Sequence, residues 1–103
     1  GQIWTAAIDG SEEAAKRYSA RGSNRNPVWS PDGSRLAFQS SRGDHSFIGV
    51  YTNAETPIQW VAPNYKRDSS PRWSPDGSRL AFIRQPGNGG KPQTILLPLH
   101  SPR

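Results

Sequence analysis

The chain has 103 residues with 10 Gly, 10 Pro and 4 Trp but neither Cys nor Met, which excludes disulfides, thiolate metal sites and a cysteine nucleophile. Leu, Ile, Val and Phe together number 17, an unusually low content for a complete globular core. Aromatic residues still make up 10% and the net charge is only +5, so the chain does not fit a disordered class. No apolar run approaches a membrane span and residues 1–20 lack a secretory signal pattern, so we expect a soluble segment with no membrane partner.

Residues 1–22 are predicted to end one structural unit with two strands. The first is the apolar stretch Ile3–Ile8, which stops at Asp9-Gly10. The next segment, Ser11–Arg17, resembles a capped helix, with Ser at the N-cap and acidic residues in the first turn. However, a 44-residue repeat in the chain aligns Ala14–Arg17 with a strand, and tertiary context commonly overrides helix propensity. We therefore predict a strand there.

Residues 23–63 are predicted to form one complete unit of four short strands. Its Ser-Pro-Asp-Gly sequence is typical of a hairpin turn, with Gly33 in the left-handed region. Leu36 and Phe38 then alternate with polar or small residues, as in a half-buried strand. Pro27 suits the entry to a strand better than a helix interior. The predicted strands are Pro27–Ser30, Arg35–Gln39, Phe47–Thr52 and Ile58–Val61.

Residues 64–103 are predicted to begin the next unit, because the ten-residue sequence Trp29–Phe38 recurs without change as Trp73–Phe82. We call this sequence, Trp-Ser-Pro-Asp-Gly-Ser-Arg-Leu-Ala-Phe, the ten-residue motif. A longer loop over Gln85–Pro92 should precede a strand at Thr94–Leu97. A period of 44 residues is typical of four-stranded propeller blades and of paired-helix repeats, and the turn chemistry favours blades. The predicted fold is all-β, with four-stranded antiparallel blades and about two blades of an incomplete β-propeller.

The repeat assigns structural roles to residues that would otherwise be candidates for chemistry. Trp29 and Trp73 recur at the repeat period and are predicted to lie in the core between blades. Trp4 and Trp60 are expected in the core, with the rim of a pocket as the alternative. The residues of the repeat motif expected to hold the blades together are Trp29, Pro31, Asp32, Gly33, Leu36, Phe38, Trp73, Pro75, Asp76, Gly77, Leu80 and Phe82.

The ten-residue motif resembles the WD-repeat-like blades of the Tol-system periplasmic propeller protein and of the N-terminal propellers of prolyl oligopeptidase and dipeptidyl peptidase IV-type serine peptidases. The resemblance covers about residues 3–98, and the extended loop Gln85–Pro92 looks more like the dipeptidyl-peptidase type. It implies a parent whose propeller covers a separate α/β-hydrolase domain that holds the Ser-His-Asp residues and admits short peptides. A motif that builds a hairpin indicates fold and carries no chemistry of its own.

No catalytic or metal-binding pattern is found in the sequence. The hydrolase elbow Gly-x-Ser-x-Gly is absent, and the only histidines are His45 and His100. Asp32 and Asp76 occupy the same turn position in different units, which argues against a carboxylate pair. Arg42-Gly43-Asp44 matches an integrin-type tripeptide, but an ordinary turn has the same composition. We expect no catalytic residue, metal or cofactor in this chain.

Two functions remain as hypotheses. The first is a non-catalytic propeller segment that gates peptides in a serine peptidase, with the rest of the propeller and the hydrolase domain as partners. The alternative is a Tol-type binding propeller whose partners are envelope proteins; a stand-alone repeat protein that oligomerises is a third, minor possibility.

The compartment is predicted as bacterial periplasm or cytoplasm. Ten of the 13 basic residues are Arg but they are scattered, so no nucleic-acid partner is expected. Because closed propellers need about four blades, the isolated chain should fold poorly or self-associate.

Overall fold

The computed structural model describes residues 2–5, 15–19, 23–53, 55–86 and 90–99. These residues form nine strands and no helix, so the predicted all-β class is confirmed. No helix able to cross a membrane is found within those ranges. The strands are β1 (Gln2–Thr5), β2 (Ala15–Ser19), β3 (Ser23–Trp29), β4 (Leu36–Ser41), β5 (Ser46–Tyr51), β6 (Gln59–Val61), β7 (Arg67–Trp73), β8 (Arg79–Gln85) and β9 (Gln93–Pro98).

The first two strands form a separate antiparallel pair, with Gln2 opposite Ser19 and Thr5 opposite Ala15. Ala15–Arg17 is therefore extended, as the repeat register predicts, although this segment has a helix-like sequence. The remainder of Ser11–Arg17 lies outside the described residues. Alignment of this segment with the 44-residue repeat therefore predicted the structure of Ala15–Arg17 correctly, whereas its local helix propensity did not.

Strands β3 to β6 form an antiparallel meander, which we call the first meander. Its opening strand begins at Ser23, four residues earlier than predicted, so Pro27 lies inside the strand and not at its entry. A register shift between Arg25 and Val28 accommodates the proline, and Asn26 takes a positive φ of 54°. Proline is tolerated within strands at such bulges, because no ladder hydrogen bond is required of it there.

Strands β7, β8 and β9 form the second meander, also antiparallel. It repeats the bulge of the first, with a register shift between Ser69 and Arg72 and a φ of 56° at Ser70. Part of the predicted loop Gln85–Pro92 lies outside the described residues, and the strand after it extends over Gln93–Pro98. A single parallel bridge between Ser46 and Arg67 connects the two meanders into one seven-stranded sheet.

The larger core cluster lies between the two meanders. The first meander contributes Ala37, Ile48, Val50 and Val61, and the second contributes Leu80 and Phe82 together with Leu99; all are buried. Leu36 and Phe38 form a second buried cluster on the opposite face of the first meander, with Trp60 packed against it. Leu36 and Phe38 match Leu80 and Phe82 in the ten-residue motif. In the second meander, the face that carries the Leu and Phe of the motif is thus the face that packs on the first meander.

Candidate functional site

The Ser-Pro-Asp-Gly sequences form the predicted hairpin turns in both meanders. In the first, the N–H of Gly33 donates to the carbonyl of Ser30 at 2.9 Å, and Gly33 has a φ of 75°. One carboxylate oxygen of Asp32 accepts from the N–H of Ser34 at 3.0 Å and from the hydroxyls of Ser30 and Ser34 at 2.8 and 2.7 Å. The second turn repeats these bonds around Asp76. Each turn therefore uses one oxygen of its own carboxylate.

These bonds lower the pKa of both carboxyls. The backbone hydrogen bond from Ser34 is the largest cause for Asp32, followed by the two serine hydroxyls, and the pKa falls to about 2. The equivalent bonds from Ser78 and Ser74 lower the pKa of Asp76 to about 2. A carboxyl that stays ionised to such low pH is poorly suited to general acid catalysis near neutrality.

The two copies of the ten-residue motif contact each other across the core. The guanidinium of Arg35 donates from Nη2 to the carbonyl of Gly77 at 2.9 Å, and its Cζ lies 4.9 Å from the centroid of the Trp73 ring. In the opposite direction, Nε1 of Trp73 donates to the carbonyl of Val28 at 2.9 Å. We call this set of interactions the Arg35–Trp73 contact. It uses the Arg of the first copy and the Trp of the second, so it has a direction along the chain.

The complementary residues of that contact, Trp29 and Arg79, are unused in the described part of the chain. Trp29 is 50% exposed and Arg79 is exposed, and neither side chain has a hydrogen-bond or ring partner there. The prediction that both Trp29 and Trp73 lie in the core between units is therefore wrong for Trp29. Trp73, which packs against the core beside the first meander, is partly buried, whereas half of the Trp29 surface is exposed.

A buried ion pair in the second meander was not foreseen from the sequence. Arg84 donates to both carboxylate oxygens of Asp68, from Nε at 2.8 Å and from Nη2 at 3.0 Å, and Nη2 also reaches the carbonyl of Ala62 at 2.8 Å. Asp68 is fully buried, and its hydrogen bonds with Arg84 raise the pKa of that guanidinium. The hydroxyl of Ser46 donates to the backbone carbonyl of Asp68 at 2.7 Å. Arg84 thus links the β6–β7 connection to the second meander, and the Ser46 hydroxyl links strand β5 to it.

An aromatic cavity of about 310 Å³ lies between the β4–β5 turn and the β6–β7 connection. The His45 ring lies 5.2 Å from the Phe47 ring and 5.3 Å from that of Tyr65, which is 87% exposed. Pro63 and Asn64 complete the wall. Trp60 packs behind it, 5.7 Å from Phe47, so it is partly buried beside the pocket and not at its rim. This is the one cluster in the described ranges that places an exposed aromatic ring next to an imidazole.

The Arg42-Gly43-Asp44 sequence forms the turn beside this cavity, with Gly43 at a φ of 88°. The Arg42 guanidinium lies over the Phe47 and Trp60 rings, 5.1 and 5.5 Å from their centroids. Asp44 contacts Nδ1 of His45 at 2.6 Å, and this bond is the main cause that lowers the pKa of Asp44. The Arg42 side chain therefore contributes to packing, which favours the structural interpretation of the tripeptide.

The described residues contain no group of three or more His, Asp or Glu side chains able to hold a metal ion. The side chain of Trp4 and the whole of His100 lie outside what the structure describes.

The sequence signal that could have found the Asp68–Arg84 pair is the repeat itself. Asp68 and Arg84 face each other in β7 and β8, where the first meander has Asn24 opposite Ser40. A change from two small polar residues to opposite charges at facing positions indicates a pair.

Comparison with protein-family models and with curated proteins found no match.

Proposed function

We propose that the chain is a non-catalytic β-propeller segment that serves as a scaffold and gates peptides to a separate α/β-hydrolase domain of a serine peptidase. The observation that supports the propeller part is the directional stacking of the meanders. The Ile48 and Val50 face of the first meander packs on the Leu80 and Phe82 face of the second. Units that stack through the same pair of faces, each turned in the same sense, close into a ring when there are enough of them.

The peptidase part of the proposal depends on the resemblance of the ten-residue motif and of the loop Gln85–Pro92. The geometry is compatible with a scaffold role, because one oxygen of each of the Asp32 and Asp76 carboxylates is hydrogen-bonded within its own turn. Asp68, the buried carboxylate, is bound to Arg84 on both oxygens. The catalytic serine, histidine and aspartate would be supplied by the separate domain.

The test uses the complete polypeptide that contains these residues. We expect a fluorophosphonate probe to label a serine outside this segment, and chromogenic dipeptide substrates to be cleaved. A Trp73→Phe substitution removes the indole N–H that reaches Val28 and should relax the preference for short peptides while labelling persists. Tyr65→Phe, at an exposed ring, is the matched control. A polypeptide without a labelled serine would contradict the peptidase proposal.

The aromatic cavity supports the alternative, a binding propeller of the Tol type. Exposed tyrosine beside histidine and phenylalanine is common at protein interfaces, because such rings bury large areas while keeping a polar end in water. Pull-down from envelope extracts with the complete polypeptide tests this alternative. It requires a specific partner that Tyr65→Ser releases and that Lys91→Ser, at an exposed site that does not line the cavity, retains.

A further inference from the structure

We propose that the aromatic cavity binds the ammonium group of a lysine side chain in a partner polypeptide. The cavity has a volume of about 310 Å³ and is lined by His45, Phe47, Pro63, Asn64 and Tyr65. Its walls come from two regions in the middle of the chain, the β4–β5 turn with the start of β5 and the β6–β7 connection. This inference rests on the alternative function proposed above, a binding propeller, and names the chemistry of the ligand that its cavity takes.

The bond between Asp44 and His45 determines which ring nitrogen of the imidazole can accept a hydrogen bond. The Asp44 carboxylate contacts Nδ1 of His45 at 2.6 Å, and this contact is the main cause of the lowered pKa of Asp44. An ionised carboxylate can only accept, so the hydrogen of the neutral imidazole must be on Nδ1. Nε2 is then an acceptor, and it has no hydrogen-bond partner in the described part of the chain. A ligand that reaches Nε2 must therefore be a hydrogen-bond donor.

The carboxylate and the rings at the cavity favour a cation over an anion. The side chain of Asp44 is 91% exposed beside the His45 ring, so its negative charge is open to a ligand. The Phe47 and Tyr65 rings lie 5.2 and 5.3 Å from the His45 ring, and the faces of such rings attract cations. An anion would instead meet the carboxylate, the lone pair of Nε2 and the ring faces, all of which repel it.

Three basic residues lie next to the cavity in the sequence but do not line it: Arg42, Lys66 and Arg67. The Arg42 guanidinium lies 5.1 Å from the centroid of the Phe47 ring, so one ring of this cavity already accepts a cation from within the chain. The charge of Arg67 is the smallest of the causes that lower the pKa of Asp44. Lys66 and Arg67 are exposed, and salt screens exposed charges. These residues should lower the affinity for a cation without reversing the preference.

An ammonium group suits these acceptors better than a guanidinium does. One oxygen of Asp44 is already bonded to Nδ1 of His45, whereas the two-bond pairing of a guanidinium uses both oxygens of a carboxylate. The three N–H donors of an ammonium can instead meet Nε2 and the carboxylate from different directions. The four-carbon stem of lysine would lie against the Phe47 and Tyr65 rings, as the stems of long charged side chains commonly do on apolar surfaces.

The experiment titrates the complete polypeptide that contains these residues with the capped tripeptide Ala-Lys-Ala, followed by ligand-observed NMR at about pH 8 to favour the neutral imidazole. We expect saturable binding that weakens as salt is added. The same peptide with acetyl-lysine has lost the charge and should not bind. The probe n-butylammonium carries the same group without a peptide backbone. It should bind no more tightly than the lysine peptide if the ligand belongs to a polypeptide.

Variants of two exposed residues assign the binding to the cavity. Tyr65→Leu removes a ring face and should weaken binding about fivefold, whereas Tyr65→Phe keeps the ring and should bind like wild type. Asp44→Asn removes the negative charge beside His45 and should weaken binding about threefold. Glu55→Gln is its matched control, because it removes the same charge at an exposed residue that does not line the cavity. Thermal melts of all four variants should match wild type.

Several results would overturn the proposal: no binding of the lysine peptide, equal binding of its acetylated form, tighter binding of n-butylammonium or of a glutamate or arginine peptide, or full binding by Tyr65→Leu. These results are distinct from those of the pull-down that tests the binding propeller. A specific envelope partner without lysine binding would contradict the ligand class alone. Lysine binding that requires Tyr65 and Asp44, with no partner captured, would support the ligand class and count against the binding propeller.

Discussion

The two copies of the ten-residue motif have identical sequences but different surroundings. Arg35 is 8% exposed and contacts Trp73, whereas Arg79, its counterpart, is exposed without a partner in the described part of the chain. Conversely, Trp73 is partly buried against the core and Trp29 is half exposed. The turn geometry is nevertheless the same in both copies, with φ of 75° at Gly33 and 74° at Gly77. Local sequence thus determines the turn, and the neighbouring unit determines burial.

The largest expected effect comes from the buried ion pair that only the second meander has. Asp68→Ala leaves the Arg84 guanidinium without its carboxylate, and we expect a loss of about 3 kcal/mol in the free energy of unfolding. Urea unfolding followed by tryptophan fluorescence measures it. The control converts this site to that of the first meander: Asp68→Asn with Arg84→Ser should cost less than Asp68→Ala alone. If the single variant proves the milder of the two, the charge pair is not what holds this site together.

A second difference between the meanders lies in the strand next to the motif. Gly49 faces Phe38 in the first meander, where the second has Ile95 facing Phe82. A Cβ at position 49 would come within 2.8 Å of the Phe38 and Trp60 rings. We therefore expect Gly49→Ala to destabilise the chain by about 2 kcal/mol in urea unfolding, a typical cost of overpacking.

The Trp60 ring provides the control for this substitution. In a Trp60→Leu background the added methyl group gains space, so Gly49→Ala should cost clearly less than it does in wild type. Equal costs in the two backgrounds would show that the Trp60 ring is not what requires glycine at this position, which would leave the Phe38 ring as the obstacle.

A smaller effect is expected from the two arginines of the motif. Arg35→Ala removes the bond to Gly77 and the contact with the Trp73 ring, and should lower the free energy of unfolding by about 1.5 kcal/mol. Arg79→Ala, measured at concentrations too low for association, should change it by less than about 0.5 kcal/mol. Thermal melts of both variants test the contrast. Equal losses would show that Arg79 has an intramolecular role that exposure does not reveal.

Sequence reasoning predicted the repeated parts of this molecule well and the unrepeated parts poorly. The hairpin at Gly33 and the strand at Ala15–Arg17 follow from turn chemistry and from the 44-residue register. The Asp68–Arg84 pair was missed because its members lie 16 residues apart, and only strand pairing brings them together. The exposure of Trp29 was missed because a repeat pattern assumes the same neighbour for every unit, whereas the burial of this Trp depends on the unit that actually precedes it. The cavity at His45 and Tyr65 joins two connections whose proximity no local pattern encodes.

The smallest difference between the copies is expected in the titration of their turn carboxyls. The pKa of both Asp32 and Asp76 is lowered to about 2, mainly by backbone hydrogen bonds that both turns share, and the charge of Arg35 is the last of the causes at Asp32. Carboxyl NMR titration should therefore give two similar midpoints near 2, and Arg35→Ala should leave that of Asp32 almost unchanged. A midpoint near the ordinary value of 3.8 in one copy alone would show that its turn opens in solution.

The same titration fixes the direction of the pH dependence of stability. A carboxyl whose pKa is lower in the folded state than in the unfolded chain stabilises the fold at every pH above its unfolded-state pKa. This stabilisation is lost as the pH falls from about 4 towards 2. Urea midpoints of wild type should therefore decline across that window. The decline should be shallower for Asp32→Asn with Asp76→Asn, because an amide has no proton to take up. Asp32→Asn and Asp76→Asn should each remove a similar part of the pH-dependent decline, since the two turns make the same bonds. Unequal effects of the two single variants would show that the turns themselves differ, and not only the units next to them.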